Sequence, residues 1–433
     1  MIEREQLATQ GPLAAALTMF AFVLAKSASG AAVLSNQQGF RILPIAFLTI
    51  AVLSVPFGLL HVALMRRWGR RSTRIWVLVV VAAFLVVCSQ VIDSLLGAAL
   101  LFVAAPVAFA AVLAGVWLLV GEVADQGAQA ARASRYFQAA AGSSAGGLAG
   151  GLGAALLPRL MPRQGLLLIA ALCLVVTALV ARSVHRSLSR SARGPRVGRR
   201  TPTGGHPLLT SRRQLLREPL VRLLASISAV AALSSVLIEF QFFASAVTVS
   251  GPTIQFFGGY FAATNLLALL LQLFVGPRLQ ARLGLVGELA VLPSALLLLS
   301  GGAGLLQLSA PSVLLRGTEQ SLKASLHRVA WEQTLGPFSA ERRDPAKALV
   351  DGLVGRLAEA VGAIGLIFWL HARRRDAPDL NGLLAVVVAL LVAWLVLTYR
   401  LRAVGCPATG SDPSARLAES CPFASAMGQH TRL

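Results

Sequence analysis

The fold is decided by residues 316–359, RGTEQSLKASLHRVAWEQTLGPFSAERRDPAKALVDGLVGRLAE, which carry many charges between strongly apolar segments. Placed on a helix at 100° per residue, the first half of this stretch gathers its polar side chains on one face. These are Arg316, Glu319, Gln320, Lys323 and His327. Ionisable residues at membrane depth are costly and are usually functional. The stretch therefore predicts a membrane helix that lines a polar cavity or a polar helix contact.

Composition supports a membrane protein and argues against several other classes. The chain has 433 residues, of which 56% are hydrophobic and 13% charged. Its formal net charge of +21 comes mainly from arginines in short loops, so we expect no nucleic-acid partner. The sequence contains no GxxxxGK[ST] or HExxH motif, and its four cysteines lack metal-ligand spacing. We therefore predict a protein that is not an enzyme and has no cofactor or metal.

Twelve apolar runs have about the 20 residues needed to cross a bilayer. Six precede residue 184 and six follow residue 218, although the ninth and tenth runs can be divided differently. We predict an all-α polytopic protein with a cytoplasmic N-terminus (1–11), a first six-helix half (12–183), a basic linker (184–218), a second half (219–402) and a disordered cytoplasmic tail (403–433).

Arginine placement predicts the orientation. Residues 66–74 and 182–219 are rich in Arg, as cytoplasmic loops are, so we expect a multi-pass protein of the cell (inner) membrane with both termini in the cytoplasm. Residues 371–376, HARRRD, are an exception to this pattern. Besides the lipid bilayer itself, anionic lipid headgroups are the expected partner of the basic linker.

The two halves have the pattern of a repeat. Three pairs, Trp117 with Trp331, Gly69 with Gly284 and Lys26 with Glu239, share an offset of 213 to 215 residues. A recurring offset predicts a duplicated six-helix unit, the architecture of major facilitator transporters.

Charged residues inside the spans are the candidate substrate or ion pathway. They are Lys26, Glu239, Arg316, Glu319, Lys323 and His327. Such charges need a partner or water, so they either face a cavity or pair with neighbouring helices. Glu319 and Lys323 are spaced i, i+4, which also allows a local ion pair.

Further charged residues near the helix ends predict gates or structural ion pairs. Three pairs have helical spacing: Arg328 with Glu332, Lys347 with Asp351, and Arg356 with Glu359. A gate and a structural clamp explain these pairs equally well.

Several segments resemble a known family. Residues 256–293 (FFGGYFAATNLLALLLQLFVGPRLQARLGLVGELAVLP), EQTLGPF and ERRDPAKALVDGLVGRLAEAVGA are similar to the second half of the nucleotide (ATP/ADP) translocases of the major facilitator superfamily. Residues 116–151 and RRWGRR (66–71) resemble the first half more loosely. The resemblance implies a divergent twelve-helix transporter with alternating access, in which Lys323 and Glu239 match a lysine and an acidic residue that the family uses for substrate.

Three hypotheses follow. The first is a secondary transporter of a small organic metabolite, with an anion as one option. The second is an ATP/ADP exchanger, although Ser29, Gly30 and Phe243 stand at positions where the family pattern is polar or charged. The third is a membrane scaffold or sensor that keeps the fold without transport.

Overall fold

The structure is a computed structural model. It describes residues 2–35, 39–124, 129–191, 215–249, 253–306, 311–334, 346–373 and 380–404. These residues are helical with short turns and contain no strand, which confirms the predicted all-α class.

The described residues up to 191 form six long helices. They are α1 (Ile2–Leu34), α2 (Gly39–Trp68), α3 (Arg70–Val91), α4 (Leu95–Ala124), α5 (Gln129–Leu156) and α6 (Arg163–Ser191). A 3₁₀ turn, Leu157–Arg159, follows α5. Residues 2–11, predicted as a cytoplasmic N-terminus, are a helical extension of α1.

The described residues from 219 onward form seven α-helices and three π-helical segments. The helices are α7 (Pro219–Val249), α8 (Ile254–Leu270), α9 (Gly276–Leu306), α10 (Pro311–Leu322), α11 (Arg328–Thr334), α12 (Gly355–Arg373) and α13 (Leu380–Val404). The π-helical segments are Leu271–Val275, Lys323–His327 and Ala348–Val354, which join α8 to α9, join α10 to α11 and precede α12.

Within the described ranges, 11 helices are long and apolar enough to cross a membrane. The predicted tenth span, residues 309–332, is not among them; its described part carries the charges Arg316, Glu319, Lys323, Arg328 and Glu332. Large apolar side chains lie on the protein surface, for example Leu160 (82% exposed), Leu298 (78%) and Phe368 (70%). Such a surface suits lipid and not water, and it agrees with a multi-pass membrane protein.

The chain divides into two compact units. The first comprises residues 1–204 and 250–269, and the second comprises residues 205–249 and 270–433. Helix α8 therefore clusters with the first unit, although the repeat in the sequence assigns it to the second half. The predicted domain boundaries stay a prediction. Residues 192–214 of the basic linker and 405–433 of the tail lie outside the described residues.

The two glycines that the predicted repeat pairs have the same unusual backbone. Gly69 has φ 81° and Gly284 has φ 64°, a region that L side chains avoid. Gly69 separates α2 from α3, and Gly284 kinks α9 after its first two turns. Each glycine therefore allows a sharp change of helix direction at the corresponding place in its half.

Helix α5 packs on α1 through glycines. A Cβ atom at Gly142 would lie 2.7 Å from the Pro12 carbonyl oxygen, and one at Gly150 would lie 2.7 Å from that of Phe20. At Gly146, between them, a Cβ would overlap the Ala16 backbone. Small residues at this spacing let two helix backbones touch.

The adjacent face of α5 packs in the same way on α8. A Cβ at Gly151 would overlap the Ala262 backbone, and one at Gly258 would overlap the backbone of α5 near Ala155. Gly147 faces the side chain of Asn265. Helix α5 therefore contacts one backbone on each of two neighbouring faces, which explains the density of glycines in residues 142–153.

Side chains from neighbouring segments bond to carbonyl groups of the π-helical segments in the second unit. The Gln272 side chain donates to the Ala324 carbonyl at 3.2 Å, and the Ser228 hydroxyl donates to the Val350 carbonyl at 3.1 Å. A π turn distorts the regular i to i−4 ladder, and these bonds satisfy carbonyl groups at the distortion.

We predict that Gly146→Ala destabilises the protein in detergent by about 1–3 kcal/mol, the usual cost of overpacking. The added methyl group has no room against Ala16. Thermal unfolding followed by circular dichroism measures the effect. The matched control is Gly58→Ala in α2, where nothing lies within 4 Å of the new Cβ. Equal melting temperatures for the two variants would contradict the close α1–α5 contact.

Candidate functional site

The centre of the polar site in the second unit is Arg316 on α10. Its guanidinium group contacts the carboxylate of Glu239 on α7 at 3.0 Å and that of Glu319, one turn further along α10, at 2.6 Å. The side chains of Arg316 and Glu319 are 12% and 2% exposed. One arginine thus contacts two carboxylates in an interior where an unpaired charge is very costly.

Ser235 and Lys323 complete this group of residues, which we call the α7–α10 network. Ser235 donates a hydrogen bond to Glu319 and accepts one from the Lys323 ammonium group at 3.1 Å. The Lys323 ammonium group lies 3.7 Å from the Glu319 carboxylate. The Lys323 side chain is 50% exposed, so it is the accessible edge of an otherwise buried network.

The network lies at one depth along both helices. Glu239 precedes Val247, the end of its span, by eight residues, and Glu319 follows Pro311 by eight residues. At 1.5 Å per residue, both carboxylates are about 12 Å from a helix end. On α7 this position is nearer the Val247 end of the span than the Pro219 end, so the network lies inside the span and not at its margin.

His327 contacts aromatic rings. Its ring stacks on Trp331 with centroids 5.8 Å apart and meets Trp394 edge-on at 5.6 Å. The sequence predicts His327 on the same face as Arg316, and this stays a prediction; residues 323–327 form a π-helical turn. We assign His327 to the packing of α11 against α13.

Lys26 lies in the first unit. Its ammonium group lies 5.8 Å from the ring centre of Phe22 and 5.6 Å from that of Phe261, a distance suited to cation–π contacts. Lys26 and Glu239, which the repeat pairs, therefore have different surroundings, because Glu239 bonds to Arg316 within the second unit.

The predicted gate residues form contacts that differ in part from the sequence spacing. Glu332 pairs with Lys347 of the next helical segment, and Asp351 accepts a hydrogen bond from the Trp331 indole at 2.9 Å. Arg328 is exposed, and its pairing with Glu332 stays a prediction.

The remaining predicted pair does form. Arg356 and Glu359 contact each other at 2.7 Å, as their i, i+3 spacing predicts. Across the part of the chain that the structure describes, no group of three or more His, Cys, Asp or Glu is arranged to hold a metal ion.

A buried polar network in the first unit was missed by the sequence analysis. Arg74 on α3 donates two hydrogen bonds to Glu122 on α4, at 3.0 and 3.3 Å, and one to His185 on α6 at 3.1 Å. Gly115 leaves room for the Arg74 stem. The sequence places Arg74 in a basic loop, whereas it lies inside α3 and is 3% exposed. Such a three-helix contact has no local sequence signal.

The sequence analysis also missed Glu288 on α9, which is 2% exposed. Its carboxyl oxygen Oε2 is buried with no hydrogen-bond partner. An acidic residue inside an apolar run was a usable signal, since the predicted ninth span, 284–307, contains it.

Residues 142–146, GSSAG, match the letters of the GxSxG motif that carries the nucleophile of α/β-hydrolases. That motif needs a sharp turn between a strand and a helix, which presents the serine hydroxyl. Here the five residues lie inside α5, and Gly142 and Gly146 pack on the α1 backbone. The match is therefore explained by helix packing.

Comparisons with known proteins support the fold. No protein-family model and no curated protein sequence matches the chain. Among solved structures, a mutant form of the nucleoside transporter NupG matches with a TM-score of 0.60, 11% sequence identity and coverage of 92% of this chain and 99% of that one. A second structure of NupG matches with a TM-score of 0.55, 12% identity and coverage of 93% and 99%. The chain thus shares the fold of these two structures, and the matches do not assign it to the nucleotide translocases.

We predict that Arg316→Met lowers the stability of the protein by about 3–5 kcal/mol, because the change removes the cation that contacts Glu239 and leaves Glu319 with Lys323 alone. Adding Glu239→Gln should restore part of the loss by removing one of those charges. Thermal unfolding in detergent compares the two single variants with the double variant. Additive losses would show that Arg316 and Glu239 are not energetically coupled.

Proposed function

We propose that the protein is a secondary transporter of a small organic solute, that it works by alternating access, and that the α7–α10 network binds the solute. The observation that carries this proposal is a largely buried charged network between α7 and α10 with one half-exposed cation, Lys323. A structural clamp needs no accessible edge, whereas a binding site does. The shared fold with a transporter supports the same conclusion.

The charge balance of the network bears on the class of solute. Its two cations, Arg316 and Lys323, are matched by two carboxylates, and Arg316 already contacts both. A nucleotide with several negative charges would have to separate these ion pairs, and multiple phosphates favour several available cations. The network instead suits an uncharged or singly charged solute that exchanges hydrogen bonds with Lys323, Ser235 and the carboxylates.

A nucleoside is a solute of this kind. It carries hydroxyl and amide groups that can donate to a carboxylate and accept from an ammonium group. The names of the similar structures supply the same candidate. The resemblance to nucleotide translocases favours ATP/ADP exchange instead, and a scaffold without transport is the alternative from another class.

The membrane and the orientation are part of the proposal. The support for a cell-membrane protein with cytoplasmic termini is the arginine distribution, including the exposed Arg66, Arg67, Arg70 and Arg71 around the α2–α3 turn. Anionic lipid headgroups at residues 184–218 rest on the same argument.

We predict that purified protein in liposomes exchanges labelled uridine and does not exchange labelled ATP or ADP. Lys323→Ala should weaken uridine binding by about tenfold or more, because hydrogen bonds to charged groups contribute about 1.5–3 kcal/mol. The measurement is counterflow into liposomes loaded with unlabelled uridine.

The control variant is Arg163→Gln. It removes a cation whose pair with Asp93 lies at an exposed turn, 3.5 Å apart, so exchange should be unchanged. Exchange of ATP that Lys323→Ala abolishes would favour the nucleotide exchanger. No exchange of any of the three compounds by folded protein would remove nucleosides and nucleotides as solutes. If Lys323→Ala then also left every biological function of the protein intact, the scaffold would be favoured.

A further inference from the structure

Glu288 is a buried carboxyl group that the α7–α10 network does not use. It lies six residues after Arg282, the first residue of its apolar span, or about 9 Å along the helix. Its side chain is 2% exposed and its Oε2 atom has no hydrogen-bond partner. No ion pair joins it to any described residue.

The elements packed against α9 carry several charged or titratable groups, and none of these bonds to Glu288. Helix α10 and the π-helical segment after it contribute Arg316, Glu319, Lys323 and His327. Helices α11 and α13 contribute Arg328, Glu332, Tyr399, Arg400 and Arg402. The π-helical segment Leu271–Val275 contributes none, and the arginines of α9 itself, Arg278 and Arg282, are exposed. The carboxyl group is therefore separated from the ion pairs of the same unit.

An ionised carboxylate in such surroundings is far more costly than a neutral carboxylic acid. The ionised form can also be stabilised when water reaches the group. Glu288 lies at the end of the first turn after the Gly284 kink, close to the start of a helix. The positive end of a helix stabilises a negative charge there. The buried environment of Glu288 therefore favours the neutral acid, and a small opening of this segment to water would favour the anion.

We propose that Glu288 is a proton-binding site that couples transport to the proton gradient. The residue holds a proton in the conformation described, and releases it to water when the segment around Gly284 opens to the other side of the membrane. One proton is bound and one released per cycle, so no other reactant is required. This inference rests on the proposed transport function.

A metal cation is a poorer fit than a proton at this position. Hard cations bind several oxygen ligands, and Glu288 belongs to no cluster of acidic or metal-binding side chains among the described residues. The transport experiment below tests this alternative by replacing the proton gradient with a sodium gradient.

The first experiment detects the proton directly and needs no solute. Infrared spectroscopy of the purified protein in lipid should show the C=O stretch of a buried carboxylic acid at neutral pH. The band should be missing in Glu288→Gln and present in Asp93→Asn, which removes an exposed carboxylate. A band that is unchanged in Glu288→Gln would overturn the proposal.

The second experiment separates coupling from binding. In liposomes, Glu288→Gln should lose proton-driven accumulation of labelled uridine and retain uridine exchange at equal concentrations, because a permanently neutral side chain needs no proton to complete the exchange step. Glu288→Asp keeps a titratable group and should keep part of the accumulation. This second variant also shows whether the position tolerates change.

The outcomes distinguish the two proposals. Proton-driven accumulation retained by Glu288→Gln overturns the role of Glu288, and so does accumulation driven by sodium alone. Loss of exchange in a folded Glu288→Gln variant overturns it as well, since the residue would then serve binding. If the unmodified protein exchanges no uridine, the proposed solute fails, and the infrared result still decides whether Glu288 holds a proton.

Discussion

The Arg316 guanidinium group holds two carboxylates from two helices in the interior of the second unit. A planar guanidinium offers five donors in a fixed fork, so one residue can serve Glu239 and Glu319 in two directions. A lysine offers one compact ammonium group and would not reach both. This side chain therefore ties α10 to α7, and Ser235 and Lys323 lie around the Glu319 carboxylate that it contacts.

The first unit meets the same physical constraint with a different set of residues. Arg74 ties α3 to α4 and α6 through Glu122 and His185. In both units an arginine that is nearly inaccessible to water gathers acceptors from other helices, because a buried cation must keep its partners. Each unit thus contains a buried polar network that links helices of a mostly apolar bundle.

Helix positions could be predicted from the sequence because apolar runs of spanning length have a strong signal. The apolar runs coincide with helical segments, and α1, α5, α6 and α9 each extend well beyond the run at one end. Local pairs such as Arg356 with Glu359 also follow from spacing. The charges near Arg316 could be grouped on one face by periodicity alone, and that grouping holds for Arg316, Glu319 and Lys323.

Contacts between distant helices could not be predicted in this way. The bond between Glu332 and Lys347 and the pairing of Arg74 with Glu122 depend on which helix faces meet, and periodicity does not encode that. The π-helical segments and the aromatic contacts of His327 could not be predicted either, because a count at 100° per residue assumes a regular α-helix.

The glycines of α5 have a mechanical consequence. Where Gly146, Gly150 and Gly151 meet α1 and α8, the nearest atoms are mostly backbone atoms, and few side chains interlock across the contact. Interlocked side chains resist translation, since they must change rotamer to pass one another. A smooth contact held by weak Cα–H···O attractions keeps two helices close and still allows a small shear along the helix axis. Helix α5 is thus suited to small axial shifts against α1 and α8 within its unit.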